Sequence, residues 1–488
     1  MKRIVARGAI YSFNQDPHCM RVTFPTGLAR LLVVVAAMTI PLSAQVVTSL
    51  GSFDGANGQF PGYIGSQPIQ AVDGNLYGVT ASGGAHGEGT VFRLTPAGNL
   101  TAIYSFCREA HCADGQIPIG RLIQGSNGNL YGMTSFGGAL NGGTIFAITS
   151  KGKFITLYSF PAGMDPEAGL VEAANGILYG TTTSGGGFGT VYQITKTGSL
   201  ATLVTFDGTN GANPNFGSLI QGSNGDLYGM TQAGGSANSG TIYEVTPSGK
   251  LTTLYNFCAK TYPFCTDGSS PYGGLVQGAN GNFYGTTEAG GANGVGTVFE
   301  LTSGRQFKTL HSFNGNDGQY PEAALAQGTD GNFYGTTPSG GATGMGTIFQ
   351  VTPSGTFTQI YAFCSQPACS DGDGPFGGAM QATNGQFYGT TLSGGTDNEG
   401  IIFSLSMGLG PFVEPLPTAG RVGAKVLILG NNLDQATSVT FNGTAASFTV
   451  VSNSAISATV PAGATSGFVQ VVTPQVTLQS NVSFHIAP

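Results

Sequence analysis

Short runs of alternating apolar and polar residues recur along most of the chain. One stretch contains four such runs, at residues 218–222, 226–231, 240–246 and 250–257. Alternation of this length is typical of β-strands with one buried face. Tight turns containing Asn-Gly or Pro-Ser-Gly separate the first run from the second and the third from the fourth. The pattern therefore predicts units that are four-stranded antiparallel sheets.

A tyrosine phrase shows how often the unit repeats. The sequence Tyr-Gly-x-Thr, preceded by Leu or Phe and followed by a Gly-Gly pair, occurs seven times. Its tyrosines are Tyr77, Tyr131, Tyr179, Tyr228, Tyr284, Tyr334 and Tyr388, at spacings of 48 to 56 residues. Such a period is the signature of an array whose units bury their faces against neighbours. The chain is predicted to be all-β, with a seven-bladed β-propeller over residues 45–406.

The two ends of the array predict how the ring closes. Residues 46–53 match a lone fourth strand, and residues 401–405 match a third strand with no fourth strand after it. The last blade is therefore predicted to combine both ends, with Phe53 in the place that Phe106 takes in another blade. This closure would tie the ring shut and remove an exposed sheet edge.

The repeated residues are predicted to form the core. Leu and Tyr point to opposite faces of a strand, so each blade offers apolar surface to both neighbours. The Gly after Tyr is expected to leave room for an aromatic residue of the next sheet. The candidates for that contact are Phe92, Phe146, Tyr192, Tyr243, Phe299, Phe349 and Phe403.

The chain changes character on both sides of the array. Residues 31–42 are apolar, and residues 1–44 are predicted to be a secretory signal peptide, with Met20 as an alternative start. After the array, residues 407–417 are rich in Gly and Pro and are predicted to be a linker. Alternating runs over residues 418–488 predict a small immunoglobulin-like β-sandwich.

Composition and net charge restrict the classes of partner that the protein can bind. Charged residues make up 8% of the chain and Gly contributes 81 residues, which suits short strands and turns. Without residues 1–44 the chain keeps 12 basic and 23 acidic residues, a formal charge of −11. An acidic exported chain has no electrostatic attraction to nucleic acid or to anionic membranes.

Six cysteines form three local pairs in loops between blades: Cys107/Cys112, Cys258/Cys265 and Cys364/Cys369. Other such loops have neither cysteine, as expected for disulfides in an oxidising compartment. Closing so short a loop contributes about 2 kcal/mol, so the disulfides should stiffen loops rather than hold the fold. A zinc site at Cys107, His111 and Cys112 is the alternative, although no fourth ligand is evident.

Strand direction places any binding site on one face of the propeller. The links between second and third strands emerge on the same face as the variable links between blades, and such loops are the usual place for binding. The candidate binding residues there are Asp54, Asp114, Asp207, Asp267, Asp317, Asp371, Asp373, His86 and His111. The acids could bind calcium as a ring or could stabilise Asp-Gly turns. Either His could act as a general base.

Recurring phrases carry a resemblance to a known family. Asn-Leu-Tyr-Gly-x-Thr, Ser-Gly-Gly, Gly-Thr-Val-Phe and Leu-Tyr-Ser-Phe over residues 46–406 resemble the GloVer repeats of bacterial choice-of-anchor exported proteins. The last unit departs from them, with Gly400-Ile401 in place of Gly-Thr. Residues 409–488 look like an IPT/TIG domain, on phrases such as Val439-Thr-Phe-Asn-Gly443. The resemblance implies an exported repeat protein whose C-terminal domain mediates contacts.

These patterns predict a non-catalytic protein that is secreted or held at the cell surface or in the periplasm. It is expected to be a monomer that binds an extracellular protein or glycan through the variable loops. No catalytic residue, metal ligand or cofactor is assigned, apart from the calcium alternative, and no transmembrane segment is predicted in the mature chain. Two other functions stay open: a secreted hydrolase or lyase acting on polysaccharide or peptide, and a structural component of the cell envelope.

Overall fold

The alternating runs become strands in a computed structural model of the protein. It describes residues 47–63, 65–214, 216–259 and 265–487, and the backbone of a short hairpin formed by Ile4–Ala6 and Ala9–Tyr11. The apolar run of the predicted signal peptide, and Met20, lie outside the described residues.

Seven antiparallel sheets, here called blades 1 to 7, follow one another, with the strands given from the inner to the outer edge. They are Ile69–Gln70, Leu76–Ser82, Thr90–Leu94 and Leu100–Ser105 in blade 1; Gln116–Gln124, Leu130–Phe136, Asn141–Ile148 and Phe154–Pro161 in blade 2; Val171–Glu172, Leu178–Thr182, Thr190–Ile194 and Leu200–Thr205 in blade 3; and Ile220–Gln221, Leu227–Thr231, Thr241–Val245 and Leu251–Asn256 in blade 4. They continue with Val276–Gln277, Phe283–Thr287, Thr297–Leu301 and Phe307–Ser312 in blade 5; Ala326–Gln327, Phe333–Thr337, Thr347–Val351 and Phe357–Ala362 in blade 6; and Ala379–Gln381, Phe387–Thr390, Ile401–Leu405 and Val47–Ser52 in blade 7. Gln59–Pro61 adds a further short pairing to blade 1, and one-turn 3₁₀ helices occur at Ala110–Cys112, Gly185–Gly187, Pro367–Cys369 and Leu433–Gln435.

Apolar clusters join each blade to the next. Six clusters connect blades 1 to 7 in order. A seventh joins blade 7 back to blade 1, where Phe53 and Ile402 pack with Leu76, Phe92 and Leu94. The sheets therefore close into a ring, which confirms the seven-bladed propeller.

The N-terminal strand closes this ring as predicted. Val47–Ser52 pairs with Ile401–Leu405 and becomes the outer strand of blade 7. Phe53 is fully buried, and its ring meets that of Phe92 edge to face at 5.1 Å between centroids. One blade is thus built from both ends of the array.

The glycine of the tyrosine phrase has a different neighbour from the one predicted. Gly78 pairs directly with Phe92 of the same blade, and a Cβ on Gly78 would lie 2.5 Å from that ring. The expectation that the aromatic residue comes from the next sheet is therefore wrong. The residue opposite on the adjacent antiparallel strand is nearest, so its ring covers the space that glycine leaves.

The threonines of the repeat explain a second part of the phrase. Thr231 and Thr241 are fully buried on neighbouring strands, and their hydroxyl oxygens lie 2.9 Å apart. The Thr241 N–H also donates to Thr231 Oγ1 at 3.1 Å. In blade 7, Ile401 replaces the second threonine, yet its N–H still donates to Thr391 Oγ1 at 3.2 Å. The backbone bond therefore survives the one departure from Gly-Thr.

The C-terminal domain is a two-sheet sandwich. One sheet contains Glu414–Leu416, Lys425–Leu429, Ala455–Thr459 and Phe448–Ser452; the other contains Thr444–Ala445, Ser438–Phe441, Val469–Val472 and Thr477–Gln479; and Ala419–Gly420 pairs in parallel with His485–Ile486. Since Glu414–Leu416 pairs with Lys425–Leu429, the sandwich includes residues that the sequence had suggested were linker.

This domain packs on the propeller face that carries the short turns. The Ser454 hydroxyl donates to the Val72 carbonyl at 2.7 Å in blade 1. Asn431 Nδ2 donates to Thr383 Oγ1 at 2.8 Å in blade 7, and Asn481 Nδ2 donates to the Gln327 carbonyl at 3.3 Å in blade 6. The face with the long loops is left uncovered by it. No helix among the described residues is long and apolar enough to cross a membrane.

Candidate functional site

The predicted loop acids fall into two structural groups, and the first consists of carboxylates that are buried, at Asp114, Asp267 and Asp371, or half-buried, at Asp317. Each accepts a hydrogen bond from the aromatic side chain near the end of the fourth strand. The pairs are Tyr104–Asp114 at 2.7 Å, Tyr255–Asp267 at 2.6 Å, Tyr361–Asp371 at 2.6 Å and His311 Nε2–Asp317 at 3.0 Å. Asp114 also accepts from the N–H groups of Arg108 and Glu109. These carboxylates hold the loops in shape.

The second group is exposed and caps its own turns. Asp54 Oδ1 accepts from the Asn57 N–H at 2.9 Å. Asp207 Oδ1 accepts from the N–H groups of Thr209 and Asn210, both at 2.9 Å, and such bonds, that of Asn210 foremost, lower the pKa of Asp207. Asp373 differs, because burial and the charge of Asp371 raise its pKa.

The two candidate histidines are separate from these acids. His86 and His111 are exposed, and neither side chain has a hydrogen-bond partner among the described residues. Across the same residues, no group of three or more His, Cys, Asp or Glu side chains is arranged to hold a metal ion. The structure therefore does not assemble the predicted acids into a calcium ring.

The cysteines form the three predicted disulfides, Cys107–Cys112, Cys258–Cys265 and Cys364–Cys369. The zinc alternative is wrong, because Cys107 and Cys112 are both consumed by a disulfide. Each pair is followed two residues later by one of the buried carboxylates, at Asp114, Asp267 and Asp371. Disulfide and carboxylate thus stabilise the same loop.

A proline that the sequence analysis overlooked positions the inner end of each blade. The series is Pro61, Pro118, Pro166, Pro214, Pro271, Pro321 and Pro375. Each packs on the glycine of the Gly-Thr pair, Gly-Ile in blade 7, at the third strand of the preceding blade. A Cβ on Gly240, for example, would lie 2.5 Å from Cδ of Pro271. The proline therefore fixes where the chain enters the ring axis.

The residue before each proline adopts a left-handed backbone conformation. The φ angles are +54° at Phe60, +53° at Ile117, +48° at Asp165, +53° at Asn213, +52° at Ser270, +57° at Tyr320 and +60° at Gly374. This conformation is unfavourable for a β-branched residue such as Ile117. In six blades the N–H of this residue donates to a carbonyl of the preceding blade, which compensates for the strain. Strained backbone of this kind is concentrated at functional sites.

The residue after each proline begins the inner wall of the loop face and differs between blades. In blades 2, 3, 5, 6 and 7 this position holds Ile119, Glu167, Tyr272, Glu322 and Phe376, respectively. In these five blades the apolar residue of the inner strand lies four positions after the proline. Between the proline and this apolar residue, blade 4 has one extra residue and blade 1 has four. This difference in spacing was the signal in the sequence that could have pointed to the site.

The extra residues meet across the ring axis. A Cβ on Gly65 of blade 1 would lie 3.0 Å from the Phe216 carbonyl of blade 4. The Phe216 and Tyr272 rings stack, with centroids 4.8 Å apart and planes 23° apart. Gln67 Nε2 donates to the Ala379 carbonyl of blade 7 at 2.5 Å. We call this opening, bordered by Glu167, Phe216, Tyr272, Glu288 and Glu322, the axial mouth.

Burial changes the acid chemistry of the axial mouth. Burial, with a smaller contribution from the Glu288 charge, raises the pKa of Glu322 to about 7. Burial also raises the pKa of Glu288, and burial together with Asp165 raises that of Glu167. The pKa of Tyr272 is raised by burial and then by the charges of Glu322, Glu288 and Glu167. None of these four side chains was predicted, yet the structure places all three acids within electrostatic range of Tyr272.

The fold and the site define a repeat-built β-propeller that carries an immunoglobulin-like domain. The chain belongs to the Gloeobacter/Verrucomicrobia repeat family, whose model matches residues 36–186, 113–264 and 260–414. An IPT/TIG domain matches residues 413–486. These repeats and this domain suggest a surface or binding protein. No curated protein matches the chain.

Solved structures share the fold at low sequence identity. A catalytically inactive virginiamycin B lyase from Staphylococcus aureus with quinupristin is 16% identical, with a TM-score of 0.51, covering 74% of this chain and 99% of that one. A fungal alcohol oxidase in complex with copper is 13% identical, with a TM-score of 0.50, covering 91% and 99%. At these identities the likeness shows the fold alone.

Proposed function

We propose that this protein is a non-catalytic exported binding protein that uses the axial mouth to bind an extracellular glycan. The supporting observation is that four consecutive blades bring variable side chains together shortly after the repeated proline, since Phe216 stacks on Tyr272 and the charges of Glu322 and Glu167 act on Tyr272. A rigid scaffold with variable side chains at one opening is the usual arrangement of a binding site.

The chemistry of the mouth favours hydroxyl groups over cations. With a pKa of about 7, Glu322 is partly protonated at neutral pH, so the mouth both donates and accepts hydrogen bonds. A sugar hydroxyl needs both kinds of partner, whereas a cationic peptide needs full negative charge. The stacked Phe216 and Tyr272 rings supply aromatic surface against which a sugar ring can pack.

Export is part of the proposal. Three disulfides suit an oxidising compartment outside the cytosol. The predicted signal peptide would deliver the chain there, either secreted or held at the cell surface or in the periplasm. The C-terminal domain would then provide a second contact, and the protein would act as a monomer.

Glycan and peptide arrays probed with the full chain test the proposal. Tyr272→Ala and Glu322→Gln should each abolish binding to a glycan that the wild type retains. Ile155→Ala is the matched control, since Ile155 is exposed on an outer strand, and it should bind like wild type. Binding only on the peptide array, or glycan binding that survives both mouth variants, would refute the proposal.

A second candidate function is supported by the paired carboxylates. Two acids whose pKa values are displaced and whose charges interact are the arrangement that glycoside-cleaving enzymes use. In such an enzyme protonated Glu322 would be the general acid and Glu288 the partner carboxylate. Turnover of an array-selected glycan that disappears in both Glu322→Gln and Glu288→Gln would favour this function. Retention without turnover favours binding.

A further inference from the structure

Beneath the axial mouth the inner strands enclose a cavity of about 370 Å³. The apolar part of its wall includes Leu170, Leu219, Leu275 and Leu325 from four consecutive blades. At the opposite end the C-terminal domain contributes Val482 and His485. A concave, mostly apolar space with few polar groups is the usual form of a small-molecule site.

One arginine reaches this cavity. Arg121 stands in blade 2 immediately before the inner-strand leucine, where the corresponding residues are Gly169, Ser218, Gly274, Ala324 and Gly378. Its side chain is largely buried, and its Nε is fully buried without a hydrogen-bond partner. Among the described residues no ion pair or hydrogen bond satisfies its guanidinium. A buried guanidinium with unpaired donors is costly unless an anion completes it.

The charged groups around Arg121 form no ion pair with its guanidinium. Glu414 of the C-terminal domain is near enough to offset part of the lowering of the Arg121 pKa that burial causes. Its carboxylate forms no ion pair with Arg121, and burial raises its own pKa. Burial lowers the pKa of His485, which makes that ring neutral at pH 7. Glu322 also lines the cavity, on the loop-face side.

We propose that the axial cavity binds a small amphipathic anion, with its apolar body against the leucines and its carboxylate, sulfonate or phosphate group on Arg121. The planar fork of the guanidinium matches such groups with two parallel hydrogen bonds. The low-dielectric wall strengthens the attraction. This ligand is chemically distinct from the glycan proposed for the mouth, and the inference does not depend on that proposal.

Two fluorescent probes that differ only in charge test the inference on the full chain. 1-Anilinonaphthalene-8-sulfonate carries a sulfonate, whereas N-phenyl-1-naphthylamine has the same rings and no charge. Wild type should bind the anion about tenfold more tightly than the neutral probe. Arg121→Gln should lose that preference while still binding the neutral probe. Lys151→Gln removes an exposed charge and should behave like wild type.

Two further variants locate the probe and keep the test decisive if Arg121→Gln does not fold, which circular dichroism would show. Glu414→Gln removes the carboxyl group nearest in charge to Arg121 and should bind the anion at least as tightly as wild type, with no effect on the neutral probe. Ala324→Phe narrows the cavity and should weaken both probes. Equal affinity of wild type for the two probes, an unchanged preference in Arg121→Gln, or weaker anion binding in Glu414→Gln would overturn the inference.

Discussion

Carboxylates on the loop face differ in what surrounds them. Asp114 accepts three hydrogen bonds within its own loop, whereas the side chains of Glu288 and Glu322 accept none from the described residues. A fully bonded carboxylate is occupied by the fold, while an unbonded one with a raised pKa is free for a ligand. Hydrogen bonding therefore separates structural acids from candidate binding acids, although both kinds occupy loops.

Replacing Asp114 tests the structural assignment. Asp114→Ala leaves the Tyr104 hydroxyl and two backbone N–H groups without their acceptor, so we expect a loss of about 2–3 kcal/mol in the free energy of unfolding. Asp54→Ala is the control, because Asp54 is exposed and caps only its own turn, and it should cost less than about 1 kcal/mol. Denaturant unfolding measures both. Equal losses would contradict this division.

Glu322 should make stability depend on pH. Its folded-state pKa is about 7 against an ordinary value of 4.5, so the folded state holds a proton that the unfolded state has released. Its stabilising contribution is present below pH 4.5 and is lost as pH rises to 7, by on the order of 2 kcal/mol after allowance for partial exposure. Unfolding at pH 5 and pH 8 measures this decrease together with an opposite contribution from His311 and His485, whose pKa values burial lowers.

Two variants isolate that contribution. Glu322→Gln cannot titrate and should reduce the decrease between pH 5 and pH 8, leaving the part contributed by other acids with raised pKa values, among them Glu167, Glu288 and Glu414. Glu109→Gln removes an exposed carboxylate and should keep the wild-type dependence. A Glu322→Gln protein with the full wild-type decrease would show that Glu322 is not the group responsible.

Among the structural elements, the closing strand has the clearest consequence. Removal of residues 46–53 would expose the edge of Ile401–Leu405 and remove Phe53 from the contact between blades 7 and 1. We expect Phe53→Ala alone to cost about 3–5 kcal/mol, the usual range for a buried phenylalanine. Thr48→Ala, on an exposed position of the same strand, should be nearly neutral. Thermal unfolding distinguishes them, and a deletion that stays soluble and melts cooperatively would refute the closure role.

The blades could be predicted from the sequence because each blade repeats the same sequence features. Alternation, turn residues and the seven tyrosine phrases specified blade number and the closing strand. The axial mouth could not be predicted in the same way. One position of the repeat holds different residues in different blades, such as Glu167, Tyr272 and Glu322, so no repeated motif marks it. Their constant neighbour is a proline, whose role depends on contact with the preceding blade. A contact between residues that are far apart in the chain leaves no signature in the local sequence pattern.

At the scale of the whole molecule, the C-terminal domain spans the place where the ring closes. Its hydrogen bonds reach blades 6, 7 and 1, so they cross the contact between blade 7 and blade 1 that the N-terminal strand completes. The two features stabilise the same junction from different parts of the chain. They should therefore be energetically coupled rather than additive.

A double-mutant cycle measures that coupling. The triple variant Ser452→Ala, Ser454→Ala, Asn431→Ala removes the side-chain hydrogen bonds that the domain donates to Val72 and Thr383. We expect Phe53→Ala to destabilise this triple variant by about 1 kcal/mol more than it destabilises wild type, because the junction then lacks both supports. Gln479→Ala, exposed on the same domain, should show no coupling to Phe53→Ala. Additive losses in the triple variant would mean that the domain is attached to the ring without helping to close it.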